Sequence, residues 1–145
     1  MNGSSILRIL VVDDEPAIAE TLAAILQNHG YSVESFTNPL EALKSTAQQT
    51  PDLLISDVTM PQLSGIDLAI QIQSRFPDCE ILLISGHGPN CDLLRQARQR
   101  GYAFSFLSKP IHPTVLLREI EHLCSHEHFL GLPEIPADIP AVGET

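Results

Sequence analysis

Five polar residues follow short apolar stretches of the chain, and their types suit phosphate chemistry. They are Asp13, Asp14, Asp57, Ser85 and Lys109. Three carboxylates that share a crevice repel one another, and a hard divalent cation such as Mg2+ between them stabilises their charged forms. The cation and a lysine would neutralise a phosphoryl group, and a serine would donate a hydrogen bond to it. A carboxylate can act as the nucleophile that forms an acyl phosphate, so the set predicts phosphoryl transfer onto an aspartate.

Five strands and five helices must alternate along the chain to place these residues. Short apolar stretches alternate with amphipathic helical patterns, which predicts a parallel sheet with crossover helices on both faces. The predicted strands are residues 6–12, 32–36, 53–56, 81–84 and 103–107. The predicted helices run from Pro16 to a stop at Gly30, and over residues 39–48, 64–76, 90–100 and 113–126. The fourth helix has the narrowest apolar stripe, so we expect it to be the least firmly packed. In the fifth, Leu117, Ile120 and Cys124 are expected to face the core.

The carboxyl ends of the strands are where this architecture binds ligands. Each of the five polar residues alone has an ordinary explanation. An aspartate at a strand end is commonly a turn residue or a helix cap, a serine before Gly86 is a turn residue, and a lysine before Pro110 is solvated. All five at one edge of one sheet favour a functional site.

Length and charge exclude several classes of protein. The 145 residues suit one folded domain, predicted over residues 1–127, followed by a proline-rich tail or linker over residues 128–145. The net charge of −10 argues against direct nucleic-acid binding.

No apolar run reaches the roughly 18–20 residues that span a membrane, and no secretion signal is visible, so we expect no membrane insertion and a cytoplasmic location. Three widely spaced cysteines indicate reduced thiols rather than disulfides.

The motifs of this chain resemble those of response regulator receiver domains of two-component signalling, over about residues 6–127. The matching segments are VVDDEP at 11–16, DVTMPQLSG at 57–65, ISG at 84–86 and FLSKP at 106–110. The resemblance implies an α/β fold, the flavodoxin-like or CheY-like (βα)5 doubly wound sheet of five parallel strands in the order 2-1-3-4-5.

The resemblance also implies metal and phosphoryl ligands. Asp57 would be the phosphoacceptor. Asp14 and Asp57 would bind Mg2+ or Mn2+ directly, Asp13 would reach the metal through water, and the backbone carbonyl of Thr59 would complete the protein ligands. Ser85 and Lys109 would contact the phosphoryl group.

Four positions would respond to the phosphoryl group or support its site. Phe106 matches an aromatic residue that moves inward upon phosphorylation. Pro110 matches a proline whose preceding peptide bond is usually cis. Side chains at Thr59 and His87 flank the path of the hydrolytic water in this family, so they would set the lifetime of the phosphorylated state.

The implied function is a signalling switch. A sensor histidine kinase or a histidine phosphotransfer protein would phosphorylate the chain, and the surface of the fourth helix, fifth strand and fifth helix would signal to an output protein or a fused output domain. A phosphorylation-dependent dimer is a further expectation. The chain would assist its own phosphorylation and dephosphorylation without being an enzyme in the ordinary sense. The sequence leaves open whether this is a stand-alone receiver or part of a longer response regulator or hybrid kinase.

Two alternative functions start from the same five residues. A phosphatase of the aspartyl-phosphate type would need a second aspartate two residues after the nucleophile, where this chain has Thr59. A degenerate receiver that only binds partners is disfavoured because all five site residues are present.

Two further clusters lie outside these motifs. His122, Cys124, His126 and His128 could bind a transition metal, although Cys124 points away from the pair of histidines four residues apart. Three arginines, at positions 95, 98 and 100, form either a solvated helix end or a patch that attracts an acidic partner.

Overall fold

The strands and helices alternate along the whole described part of the chain. The computed structural model describes residues 6–86 and 91–128, with side chains described up to Cys124. The strands are β1 (Arg8–Val12), β2 (Ser32–Phe36), β3 (Leu53–Asp57), β4 (Glu80–Ser85) and β5 (Ser105–Ser108). The helices are α1 (Pro16–Asn28), α2 (Pro39–Ser45), α3 (Gly65–Arg75), α4 (Asp92–Gln99) and α5 (Pro113–His128). The predicted proline-rich tail lies almost entirely outside the described residues.

A single parallel sheet in the order β2-β1-β3-β4-β5 organises the fold. Alternate residues of its central strands face opposite sides. Leu53 and Ile55 pack into a core with α1 and α5, whereas Leu54 packs into a second core with α2, α3 and α4. Burial of the central strands on both faces explains their nearly continuous apolar sequence. The predicted architecture and strand order are confirmed.

Helix ends follow the local sequence signals. Pro16 occupies the first turn of α1, and Gly30, with a φ of 92°, follows its end in the left-handed region that glycine tolerates. The side chain of Asn38 accepts a hydrogen bond from the N–H of Leu40 at the start of α2. Ser64 caps α3 in the same way. No helix in residues 6–86 or 91–128 is long and apolar enough to cross a membrane.

The predicted bounds of several elements are wrong. Strand β1 begins at Arg8 rather than at 6. Strand β5 begins at Ser105 rather than at 103, because its pairing with β4 begins at Ser105 and the preceding residues lead out of the end of α4. Helix α2 ends at Ser45 rather than at 48, since the next residues form tighter turns with bonds such as that from the N–H of Ala47 to the carbonyl of Lys44. In α5, Leu117 packs against the core as predicted but is only partly buried, whereas its neighbour Leu116 is fully buried.

Candidate functional site

Four strands deliver the predicted site residues to one edge of the sheet. Asp13 directly follows β1, Asp57 ends β3, Ser85 ends β4, and Lys109 directly follows β5. The strand registers align these ends, since Asp57 pairs with Ile84 and Ser85 pairs with Ser108. The sequence prediction that these residues share one edge is therefore confirmed by the topology.

The ammonium group of Lys109 lies among three carboxylates. Its Nζ is 3.2 Å from Oδ2 of Asp13, 3.5 Å from Oδ1 of Asp57 and 4.0 Å from Oε1 of Glu15. The side chain of Asp13 is 1% exposed and that of Asp57 is 10% exposed, whereas that of Glu15 is 64% exposed. Lys109 thus connects two buried carboxylates with one at the rim of the site.

The electrostatics of this cluster place a cation, Lys109, next to Asp57, whose charged form burial disfavours. Burial raises the pKa of the Asp57 carboxyl above its ordinary value; Lys109 opposes this increase, while Asp13 and Asp14 add to it. For Lys109, burial alone would lower the pKa of the ammonium, but attraction by Asp57 and Asp13 outweighs burial and raises it. Lys109 therefore stays charged at neutral pH, and a second cation beside Asp57 would relieve the remaining repulsion.

The three aspartates offer the ligands that a hard divalent cation prefers. One carboxylate oxygen from each of Asp13, Asp14 and Asp57 lies within 4.8 Å of the others. Oδ1 of Asp13 accepts a hydrogen bond from the N–H of Glu15 at 2.9 Å. Its Oδ2 is buried and pairs with the ammonium of Lys109 at 3.2 Å. A set made only of carboxylate oxygen donors fits Mg2+ or Mn2+.

Backbone packing holds the end of β3 in place through residues that sequence reasoning did not single out. The hydroxyl of Ser56 donates to the carbonyl oxygen of Asp57 at 2.9 Å. The N–H of Gly65 donates to the carbonyl of Val58 at 2.8 Å, which brings the start of α3 against this segment. A Cβ on Gly65 would lie 2.0 Å from the carbonyl oxygen of Asp57. The only sequence signal for this contact was a glycine directly after the capping Ser64.

The remaining predicted residues surround this cluster. Ser85 is buried, and its carbonyl accepts the N–H of Lys109 at 2.9 Å. Phe106 is half-buried in β5 and packs against the core on the side of α3 and α4. The peptide bond between Lys109 and Pro110 is cis, as the resemblance implied. Thr59 is exposed two residues after Asp57, and His87 lies outside the described residues.

A family model for the response regulator receiver domain matches residues 9–121, well over half of the chain. The chain belongs to the response regulator receiver family. It is therefore a receiver domain of two-component signalling, and its fold is that of such a domain.

Two curated relatives illustrate the similarity in sequence. The DNA-binding transcriptional regulator NtrC of Escherichia coli (strain K12) is 34% identical over 118 residues, which are 81% of this chain and 25% of NtrC. The response regulator MprA of Mycobacterium leprae is 37% identical over 117 residues, which are 81% of this chain and 50% of MprA. This receiver domain thus spans between a quarter and a half of these relatives.

Two solved structures show the same fold as this receiver domain. A response regulator receiver domain protein from Clostridium thermocellum has a TM-score of 0.75 and 29% identity, covering 86% of this chain and 99% of that one. A CheY-like receiver domain protein from Methanospirillum hungatei has a TM-score of 0.78 and 26% identity, covering 88% and 100%. Both similarities extend over nearly the whole of the receiver domains compared.

Two members of the cysteine and histidine cluster near the end of α5, His122 and Cys124, have described side chains, and these lie in different surroundings. The group of three aspartates is the only set of three or more metal-ligating side chains found among the described residues. Cys124 is buried in the core beside α1, whereas His122 is exposed. The side chains of His126 and His128 lie outside the described residues.

The arginines of α4 lie at the surface of the receiver domain. Arg95 is exposed and forms an ion pair with Asp92 on the same helix. Arg98 is exposed, and the guanidinium of Arg100 lies 5.6 Å from the ring centre of Tyr102. Whether these arginines attract an acidic partner stays a prediction.

Stability should depend on the charge of Asp57. In a chelator, Asp57→Asn is expected to unfold at a higher denaturant concentration than wild type at pH 7, because a neutral amide removes a buried charge that the site disfavours. A raised folded-state pKa gives stability that is fully present below the unfolded value of 3.8 and is lost as the pH rises through the folded value. The advantage of the variant should therefore be small at pH 3.5 and should grow toward neutral pH.

Denaturant unfolding at several pH values measures this difference. Asp78→Asn, at an exposed aspartate, is the matched control and should give little change across the series. An equal advantage of Asp57→Asn at pH 3.5 and pH 7 would show that the charge of Asp57 is not the cause.

Proposed function

We propose that this receiver domain is a phosphoacceptor switch, phosphorylated on Asp57 by a sensor histidine kinase or a histidine phosphotransfer protein in a reaction that depends on Mg2+ or Mn2+. The observation that carries the proposal is the position of Lys109, whose ammonium lies 3.5 Å from Asp57 in a cluster that also holds Asp13 and Asp14. These are a nucleophile, a fixed cation and a set of oxygen donors for a divalent metal at one edge of the sheet.

The chain's own groups would each have a part in the transfer. An oxygen of Asp57 forms a bond to phosphorus while the bond from phosphorus to the donor breaks, and the donor leaves with that electron pair. Lys109 then pairs with the phosphoryl oxygens, and the hydroxyl of Ser85 donates a hydrogen bond to them. Asp14, Asp57 and the backbone carbonyl of Thr59 would hold a divalent cation, with Asp13 contacting it through water, and that cation would supply further charge neutralisation. Position 59 carries no carboxylate to act as acid or base, so we propose a switch rather than a phosphatase.

The negative charge of a phosphoryl group on Asp57 would cause the conformational change that transmits the signal. A phosphoryl group brings almost two negative charges and strong acceptor oxygens, which would draw Ser85 toward Asp57. Phe106 lies in the adjacent strand and is only half-buried, so it can move inward into the space that Ser85 leaves. This change would alter the face formed by α4, β5 and α5. Thr59 and His87 are proposed to set the lifetime of the phosphorylated state.

The proposal also covers the downstream partner, the cellular location and the oligomeric state of the switch. The two curated relatives are named as a transcriptional regulator and a response regulator, which supports an output protein or a fused output domain as the downstream partner. Residues 128–145 would be a tail or linker after the domain. The net charge of −10 supports a domain that makes no direct contact with nucleic acid. We further propose a cytoplasmic location and a dimer that forms upon phosphorylation.

Metal binding should require Asp14. Calorimetric titration with Mg2+, without a phosphoryl donor, should show that Asp14→Ala binds about tenfold or more weakly than wild type, since even indirect ligands typically contribute that much to metal affinity. Labelling by acetyl phosphate should also require Mg2+ and stop in a chelator. Asp78→Ala, which removes an exposed carboxylate elsewhere, should bind Mg2+ like wild type. Equal Mg2+ binding by the Asp14→Ala protein and wild type would show that Asp14 is not a ligand.

A further inference from the structure

The third carboxylate near Lys109 has no part in the reaction proposed above. Oε1 of Glu15 is 4.0 Å from Nζ of Lys109, close to the distances from that nitrogen to Asp13 and Asp57. Its side chain is 64% exposed, so its charge lies at the rim of the site where a phosphoryl donor must approach. Coulombic attraction by Glu15 also acts on Lys109.

Both the N–H and the carbonyl of Glu15 make hydrogen bonds, and its side chain forms an ion pair with Lys109. Its N–H donates to Oδ1 of the buried Asp13, and its carbonyl accepts the N–H groups of Ile18 and Ala19 at the start of α1. Glu15 is the N-cap residue of this helix but makes no hydrogen bond through its side chain to cap it. The contact with Lys109 is the ion pair that its carboxylate makes among the described residues. The fold of the segment between β1 and α1 therefore places the backbone of Glu15 where its side chain reaches Lys109.

We propose that Glu15 is a positioning residue that competes with Asp57 for Lys109 and so slows phosphorylation by anionic donors. The inference rests on the phosphoacceptor function proposed above. When acetyl phosphate reacts, an oxygen of Asp57 bonds to phosphorus, the bond between phosphorus and the acyl oxygen breaks, and acetate leaves with the electron pair. Lys109 must turn toward the phosphoryl oxygens as this happens. Glu15 attracts Lys109 toward the rim and repels a donor that carries negative charge.

Phosphorylation kinetics of Glu15→Gln test this role, with Glu20→Gln as the matched control. Glu20 is exposed on α1, so its replacement changes the net charge equally without touching Lys109. With acetyl phosphate and saturating Mg2+, Glu15→Gln should be labelled about two- to fivefold faster than wild type, the effect of one exposed ion pair. Because salt screens exposed charges, the gain should shrink at high ionic strength. Glu20→Gln should react at the wild-type rate.

If Glu15 only stabilised the fold, its variants would differ in unfolding temperature, and their labelling rates would not follow the charge at position 15. Glu15→Asp keeps the charge on a shorter side chain, so its labelling rate should lie nearer to wild type than that of Glu15→Gln. All three variants should unfold at similar temperatures. If wild type is labelled on Asp57 but Glu15→Gln reacts no faster than Glu20→Gln, the competition proposed for Glu15 is wrong and the phosphoacceptor function stands. If wild type takes no label at all, both proposals fail.

Discussion

Replacing Gly65 with alanine is expected to lower the free energy of unfolding by about 2–4 kcal/mol, a large part of the stability of a small domain. The added Cβ would lie 2.0 Å from the carbonyl oxygen of Asp57, 2.9 Å from its carbonyl carbon and 3.0 Å from the hydroxyl oxygen of Ser56. Two of these three atoms belong to the backbone and cannot move away by a side-chain rotation. Either the start of α3 or the end of β3 must shift, so Asp57 should also bind Mg2+ more weakly.

Denaturant unfolding and Mg2+ titration of the same protein measure both effects. Gly86→Ala is the matched control, because a Cβ on Gly86 would have no atom within 4 Å and its backbone does not lie in the left-handed region. Alanine there should leave stability unchanged or raise it slightly. A Gly65→Ala protein as stable as the Gly86→Ala protein would show that the start of α3 does not pack closely against the end of β3.

The strands and the residues at their carboxyl ends could be predicted because they follow from local sequence patterns. Continuous apolar segments identified the central strands β1, β3 and β4 within about two residues, because strands buried on both faces have no polar alternation. Asp13, Asp57, Ser85 and Lys109 were found because the carboxyl ends of parallel strands share one edge.

The sequence could not predict contacts that only the packed fold creates. Residues 103 and 104 have the composition of a strand, yet the pairing with β4 begins at Ser105. Leu116 and Leu117 are equally apolar neighbours, and the rotation of α5 on the sheet decides which one is buried. The approach of Gly65 to Asp57 joins residues that periodicity does not relate. Glu15 resembles any exposed acidic residue at a helix start until Lys109 is placed beside it.

The second large effect is the expected loss of phosphorylation in Asp57→Asn. The amide of asparagine has nearly the shape of the carboxylate but cannot form an acyl phosphate, so the fold and the ion pair between Lys109 and Asp13 should persist while the acceptor oxygen is lost. Denaturant unfolding of this variant establishes that it folds. Asp78→Asn removes an exposed carboxylate outside the cluster and serves as the control for labelling.

Intact-protein mass spectrometry after incubation with acetyl phosphate and Mg2+ tests the assignment of Asp57 most directly. Wild type and Asp78→Asn should each gain the mass of one phosphoryl group, and hydroxylamine, which cleaves acyl phosphates, should release it. Asp57→Asn should gain nothing under the same conditions. Undiminished labelling of Asp57→Asn, or no Mg2+-dependent labelling of wild type, would contradict the proposal that Asp57 is the phosphoacceptor.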